Sequence, residues 1–211
     1  ASVSDGLFIM GYAYHWSGSS TTGPNSPLSG PGYTLTWTVL DYLNKTNYQA
    51  DKLILGCPYY GFEWPSATNT PGSNTIGTGD AKFYSEIEGL ALSYGKLWHQ
   101  STQTPWYTYD NSGWNQGWYD DSLSLSLKYD FALYNNLKGI GIWALGYDAG
   151  RTELWDLLHA KFGESAPPTK PSRLLIKNIG SGSITIDFQG AENASEYIVL
   201  RGSLDIVGGL D

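Results

Sequence analysis

Three short runs of almost continuous apolar residues limit the folds that this chain can adopt. They are LFIMGYAY at 7–14, KLILGCPYY at 52–60 and GIGIWALGY at 139–147. A strand with one face in water alternates apolar and polar residues, whereas a strand covered on both faces does not. The three runs therefore predict parallel strands that are buried on both faces, with crossover helices between them.

Segments with helical periodicity follow each of these strands. Leu35, Val39, Leu40 and Leu43 fall on one helical face between the first two runs. After the second run, AKFYSEIEGLALSYG predicts a helix that carries Phe83 on its apolar face and that Asp80 caps. SLSLSLKYDFALYNNL and RTELWDLLHAKFG predict two more helices, one on each side of the third run. The pattern is that of an α/β fold.

One segment interrupts this repeat. KLWHQSTQTPWYTYDNSGWNQGWYDD alternates aromatic residues around a turn at Asp110–Gly113, which predicts an inserted β-hairpin. A closed (β/α)8 barrel takes about 250 residues, and only three strand–helix units are legible here. We therefore expect part of such a barrel, with more of it before Ala1.

The α/β pattern ends at Gly163, and the composition changes there. Residues 164–172 form a proline-rich linker, and residues 173–211 alternate with period two through ITIDF and EYIVL. A complete immunoglobulin-like sandwich needs about 100 residues, so the tail predicts only part of a small β module. The predicted domains are 1–163 and 173–211.

Charge and cysteine content exclude several classes of function. The chain has 20 acidic against 12 basic residues, a net charge of −8, and no basic cluster, so we expect no nucleic-acid partner. No apolar run is long enough for a membrane span. The single cysteine, Cys57, lies in an apolar run and is expected to be buried and inert. His15, His99 and His159 are too far apart to suggest a metal site, and no cofactor is predicted.

Aromatic residues make up 15% of the chain, with 9 Trp and 16 Tyr but only 6 Phe. Rings with an apolar face and a polar edge stack well on sugars, so this composition favours a sugar-binding protein over a purely aromatic core.

Four motifs together carry a family resemblance. MGYAYHW, KLILGCPYYGFEW, WYDDSLSLSLKY and GIGIWALGYD resemble the last three barrel strands of glycoside hydrolase family 18, the chitinases and related N-acetylglucosaminidases, over residues 5–163. The resemblance implies the C-terminal portion of a (β/α)8 TIM barrel. The tail resembles the first half of a fibronectin type III module, a common appendage of secreted bacterial polysaccharide-degrading enzymes. That implies a secreted or cell-surface bacterial protein.

The resemblance also implies which residues bind the sugar. Met10 and Tyr12 would line the site, with the Tyr12 hydroxyl holding the N-acetyl carbonyl oxygen, and Trp143 would form the floor under the sugar at the cleavage point. Tyr60 is a further expected contact. We also predict substrate contacts for Tyr14 and Trp64, which lie beside these motifs. For each of these aromatic residues the alternative is a place in the core.

Two positions depart from the family pattern. Ala13 stands where an acidic residue often follows the tyrosine, and Phe62 stands where a basic residue frequently follows Tyr-Tyr-Gly. Asp120 and Asp121 resemble the Asp-Asp pair of the family. Two adjacent acids invite a catalytic interpretation, but their place just before a helix favours capping.

Hydrolysis in this family is substrate-assisted and retaining: the N-acetyl oxygen attacks the anomeric carbon while a Glu in an Asp-x-x-Asp-x-Asp-x-Glu motif protonates the leaving oxygen. That motif does not occur in these 211 residues, so no catalytic residue is predicted. The first hypothesis is a chitinase-like hydrolase of N-acetylglucosamine polymers, to which this chain contributes aromatic subsites. The second is a non-catalytic carbohydrate-binding or adhesion protein. A third is a structural fragment that self-associates through exposed barrel edges.

Overall fold

A computed structural model describes residues 4–163 in full and the backbone of residues 173–180 and 183–189. Two compact units divide the chain, Ala1–Phe162 and Gly163–Asp211. The strands are, in chain order, β1 (Leu7–Met10), β2 (Leu53–Pro58), β3 (Tyr60–Ser66), β4 (Asp80–Phe83), β5 (Leu97–His99), β6 (Thr104–Asp110), β7 (Trp114–Trp118), β8 (Gly139–Trp143), β9 (Arg173–Gly180) and β10 (Ser183–Gln189). The helices are α1 (Leu35–Lys45), α2 (Tyr84–Tyr94), α3 (Ser122–Tyr134) and α4 (Glu153–Phe162), and a single 3₁₀ turn spans Ala50–Lys52.

The three apolar runs form one parallel sheet, as predicted. Its strand order is β1-β2-β8, with Leu7 opposite Leu53 and Ile54 opposite Gly139. Each strand is shorter than its apolar run. β1 ends at Met10, and β2 ends at Pro58, after which Tyr60 opens a strand of a different sheet.

The two faces of this sheet have different surroundings. Ile9, Leu53, Leu55 and Cys57 are buried in one core with apolar residues of α1 and α3. Phe8 and Met10 lie on the opposite face and are 45% and 70% exposed, so the prediction that the strands are buried on both faces was wrong for β1 in the described residues. The Phe8 ring crosses the sheet over two glycines: a Cβ at Gly56 or Gly141 would lie 2.5 or 2.3 Å from its atoms. That face corresponds to the interior of the expected barrel.

The insertion is larger than the predicted hairpin. β6 and β7 do form a hairpin around residues 110–114, and Asp110 accepts a hydrogen bond from the Gly113 N–H at 3.0 Å. They belong, however, to a five-stranded antiparallel sheet with the order β4-β3-β7-β6-β5. Strand β3 follows β2 almost directly in the sequence. The apolar run of β2 continues into β3, so the sequence pattern does not separate the two strands.

The predicted start of the second helix was wrong. Asp80 does not cap it, because Asp80–Phe83 pairs with Tyr60–Glu63 as strand β4. The helix begins at Tyr84, and Phe83 at its N-cap makes no side-chain capping bond. At α1, by contrast, the Thr34 hydroxyl accepts a bond from the Trp37 N–H at 3.2 Å.

In the second unit, β9 and β10 pair antiparallel, with an irregularity between Thr185 and Ile186. Of the two alternating segments that the sequence indicated, ITIDF lies within β10, and EYIVL lies outside the described residues. The proline-rich linker at 164–172 and the tail beyond Gln189 lie outside the described residues. The fibronectin type III-like nature of the tail stays a prediction.

Candidate functional site

Aromatic side chains meet where the strands of the parallel sheet end. Tyr12 follows the last residue of β1 by two positions, and Trp143 is the last residue of β8. Their ring centroids lie 6.4 Å apart at an interplanar angle of 32°. Trp143 is 52% exposed, so its indole is accessible to a ligand.

Tyr60 joins these two residues from the first position of β3. Its ring meets Tyr12 edge to face at a centroid distance of 6.0 Å. Its neighbour Tyr59 points the other way: it is completely buried, and its hydroxyl lies 3.4 Å from that of Tyr129. Of this tyrosine pair, Tyr60 therefore faces the cluster and Tyr59 faces the core.

Phe83 and Tyr147 also lie beside Tyr60, although neither was among the predicted sugar contacts. Phe83 lies opposite Tyr60 in the β3–β4 register and stacks on Tyr147 at 4.2 Å. Tyr147 in turn meets the edge of Tyr60 at 6.5 Å. We call Tyr12, Tyr60, Phe83, Trp143 and Tyr147 the aromatic cluster. The spacing of Phe83 to Ile87 fits a helix, so the sequence pattern did not indicate a sugar contact. Pairing of β3 with β4 turns Phe83 towards Tyr60.

The other predicted contacts fall in three different places. Met10 lies on the same face of β1 as Phe8, beside the open side of the sheet. Tyr14 turns towards α1, where its hydroxyl lies 2.6 Å from that of Thr38. Trp64 has no exposed surface, and its indole N–H donates to the Trp16 carbonyl at 3.2 Å. The structure thus assigns Tyr14 and Trp64 to packing, and we correct their placement in the binding surface.

Burial changes the pKa of two phenol groups in the cluster. It raises the pKa of Tyr60 to about 12 and also raises the pKa of Tyr12. Both hydroxyls are therefore neutral near pH 7 and can donate a hydrogen bond to a carbonyl oxygen.

The adjacent acids at the start of α3 have structural roles. The Asp121 carboxylate accepts a bond from the Ser124 N–H at 2.9 Å, and the Ser124 hydroxyl accepts one from the Asp121 N–H at 3.0 Å. This reciprocal pair is a capping box. Asp120 forms a buried ion pair with Lys128 instead of capping the helix. The capping interpretation is confirmed for Asp121 and was wrong for Asp120.

Two loops are anchored by a single amide. Gln116, which is completely buried in β7, donates to the carbonyl oxygens of Thr68 and Thr70 at 2.9 and 2.8 Å. Its own oxygen accepts bonds from the Thr22 hydroxyl at 2.9 Å and the Trp118 indole at 3.1 Å. All four bonding positions of this amide are used.

Two further features, a metal-binding group and a membrane span, are absent from the described residues. No three His, Cys, Asp or Glu side chains gather there in a way that could hold a metal ion. In the same part of the chain, no helix has the length and apolar character to span a bilayer.

Comparison with known proteins identifies the class. The sequence profile of glycosyl hydrolases family 18 matches residues 1–148. The chain therefore belongs to glycoside hydrolase family 18, as the motifs implied, and its mixed α/β fold matches the barrel of family 18 chitinases.

Particular relatives are chitin-related proteins. The probable chitinase 10 of Drosophila melanogaster is 30% identical over 200 residues, which cover 81% of this chain and 9% of that protein. Human di-N-acetylchitobiase is 27% identical over 191 residues, covering 76% of this chain and 48% of the relative. A family 18 chitinase mutant from Cycas revoluta, solved with (GlcNAc)4, superposes with a TM-score of 0.67 at 25% identity, covering 75% of this chain and 47% of the other. The chain thus spans less than half the length of these relatives.

Proposed function

We propose that this chain is the sugar-binding, C-terminal portion of a chitinase-like hydrolase and that it binds oligomers of N-acetylglucosamine through the aromatic cluster. The observation that carries the proposal is the meeting of Tyr12, Tyr60 and Trp143 at the carboxyl ends of β1, β2 and β8. In α/β barrels the active site lies at these strand ends. Aromatic faces with a few polar groups are typical of sugar clefts.

Each residue has a distinct proposed role. The exposed indole face of Trp143 stacks on the apolar face of one sugar ring. The neutral Tyr12 hydroxyl donates to the acetamido carbonyl oxygen, which orients that oxygen for attack on the anomeric carbon. The Cycas chitinase that was solved with (GlcNAc)4 supports this ligand class.

The proton donor is proposed to come from elsewhere. The Asp-x-x-Asp-x-Asp-x-Glu motif does not occur in this sequence, and the adjacent acids Asp120 and Asp121 are bound in a buried ion pair and a capping box. We therefore propose that the 211-residue chain binds the sugar without hydrolysing it.

Binding of chitotetraose, measured by isothermal titration calorimetry, tests the proposal. We expect Trp143→Ala to weaken binding about tenfold or more, because stacking on a sugar is lost. Trp37→Ala is the matched control, since Trp37 is 49% exposed but lies on α1. Equal losses in both variants, or no binding by the unmodified chain, would refute the proposed site. Turnover of a chromogenic chitooligosaccharide would refute the missing-acid argument.

A non-catalytic carbohydrate-binding or adhesion protein is the second candidate, and Ala13 favours it. The acidic group that often follows this tyrosine in the family is replaced here by a methyl group. A longer natural product that carries a Glu-bearing acidic motif and cleaves chitotetraose would exclude this candidate. Binding without cleavage by such a product would support it.

Self-association and localisation remain proposals. β1 and β8 are the outer strands of the described parallel sheet. Beside β8 lies an apolar groove, whose lining includes Ile142, Leu145, Trp155 and Phe162. We propose that this groove and the open strand edges pair copies of the chain.

Secretion or surface display in bacteria is proposed from the fibronectin type III-like tail, and recovery of the protein from a bacterial culture medium tests it.

A further inference from the structure

Asn25 lies in the loop between β1 and α1 and has no exposed surface. Its side-chain oxygen accepts a hydrogen bond from the Ala13 N–H at 2.7 Å. Its side-chain nitrogen donates to the backbone carbonyl of Tyr60 at 3.0 Å. Its backbone carbonyl also accepts a bond from the Tyr14 N–H at 3.1 Å. One short side chain therefore joins the backbone next to Tyr12 with the backbone of Tyr60.

The bond to Ala13 is made at a residue with an uncommon backbone conformation. Ala13 has a φ of +62°, in the left-handed region that residues other than glycine rarely occupy. This turn follows Tyr12 directly, so it fixes the backbone on the C-terminal side of Tyr12. The hydrogen bond that the Ala13 N–H donates to the buried Asn25 oxygen holds the turn in that conformation.

We propose that Asn25 is a positioning residue, which fixes the spacing of Tyr12 and Tyr60 so that both can contact one sugar. Its planar amide has an acceptor at one end and a donor at the other, so neither tyrosine backbone can shift without breaking a bond. The alternative is a purely structural anchor for the loop. Thr22 and Ser26 in the same loop are such anchors, through bonds to Gln116 and to the Gly11 carbonyl. The sugar-binding part of the inference rests on the proposed function.

The first test needs no ligand. Asn25→Leu in the 211-residue chain keeps the approximate size of the side chain and removes both bonds. Thr22→Val is the matched control, because Thr22 is equally buried and also loses a loop hydrogen bond. We expect nuclear Overhauser contacts between the Tyr12 and Tyr60 rings to disappear in Asn25→Leu and to persist in Thr22→Val. Persistence in both variants would overturn the inference.

A second variant separates the two ends of the amide. Asn25→Asp keeps the acceptor for the Ala13 N–H and places an acceptor opposite the Tyr60 carbonyl. We expect slow hydrogen exchange at Ala13 to survive in this variant while the contact between the two rings is lost. This variant also decides the question if Asn25→Leu does not fold, and an unchanged ring contact in it would count against the inference.

Chitotetraose binding then links position to function. We expect both Asn25 variants to weaken binding about tenfold, the size of effect that loss of one buried hydrogen bond produces, and Thr22→Val to leave it unchanged. Loss of the ring contact with full binding would refute the role in binding. If the unmodified chain does not bind, the proposed function fails, while the ring contacts still decide whether Asn25 positions the two tyrosines.

Discussion

The side chains of Asp120 and Lys128 form an ion pair with no exposed surface. The same Asp120 oxygen accepts a bond from the Ser124 hydroxyl at 2.7 Å. Its other oxygen has no hydrogen-bond partner within the described part of the chain. Burial of two charges costs much of what their attraction provides, so the pair itself contributes little net stability. Removal of only one of the two charges is expected to destabilise the fold strongly.

Lys128→Met is expected to lower the free energy of unfolding of the first unit by about 3–5 kcal/mol, because it leaves the Asp120 charge buried and unpaired. All nine tryptophans lie in that unit, so their fluorescence during urea denaturation reports on it alone. The double variant Asp120→Asn, Lys128→Met should recover part of the loss. Equal stabilities of Lys128→Met and the unmodified chain would contradict a buried ion pair.

Phe83→Ala is expected to weaken chitotetraose binding several-fold while it leaves the fold intact. Phe83 is 52% exposed and stacks on Tyr147, so its loss removes sugar-facing surface without opening a core cavity. Titration of the variant with chitotetraose measures the effect. Leu92→Ala on α2, with 62% exposure, is the control. An affinity unchanged by Phe83→Ala would restrict the binding surface to the other members of the aromatic cluster.

The first unit is expected to lose stability as the pH rises above 10. Tyr107, Tyr119 and Tyr129 are completely buried, and this burial raises the pKa of each phenol above its ordinary value of 10.0. A folded-state pKa above that of the unfolded state gives stability that is present below the unfolded pKa. It disappears as the unfolded chain begins to lose its phenol protons.

Each such phenol contributes a slope of about 1.4 kcal/mol per pH unit in that range. Urea midpoints between about pH 8 and about pH 11 measure the loss. Phenolate absorbance from these three residues should appear together with unfolding. A gradual increase that accounts for all 16 tyrosines, in a chain that is still folded, would show that these three phenols are accessible.

Self-association of the chain should depend on the apolar groove beside β8. Leu145 lines this groove and is 71% exposed, so Leu145→Lys places a charge there without disturbing a core. We expect light scattering to show association of the unmodified chain and a smaller mass for Leu145→Lys. Leu92→Lys on α2 should leave the mass unchanged. A monomeric unmodified chain would contradict the proposal.

Most of the helices and strands could be predicted from the sequence, because burial and periodicity are local signals. Leu35, Val39 and Leu43 are buried on one face of α1 as their spacing predicted, whereas Leu40, which was predicted on the same face, is 48% exposed. Aromatic alternation and a turn at Asp110–Gly113 likewise gave the β6–β7 hairpin. In each case, neighbours in the sequence decide the conformation.

The direction of individual side chains was less predictable. Tyr12 and Tyr14 have the same residue type and lie two positions apart, yet a positive φ at Ala13 sends Tyr14 towards Thr38 on α1. Trp64 resembled a cleft residue, but the β3 register places it under Gly79, where a Cβ would come within 2.3 Å of the indole. Both outcomes depend on contacts between distant segments, which the sequence pattern does not contain.

The anchoring of the loop at 68–70 by Gln116 leaves the side chains of that loop free to change. The amide binds the backbone carbonyls of Thr68 and Thr70 and not their side chains, and every amino acid supplies such a carbonyl. Residues 68 and 70 can therefore diverge while the loop keeps its attachment to the sheet. Gln116 itself, with every bonding position occupied, has no such freedom.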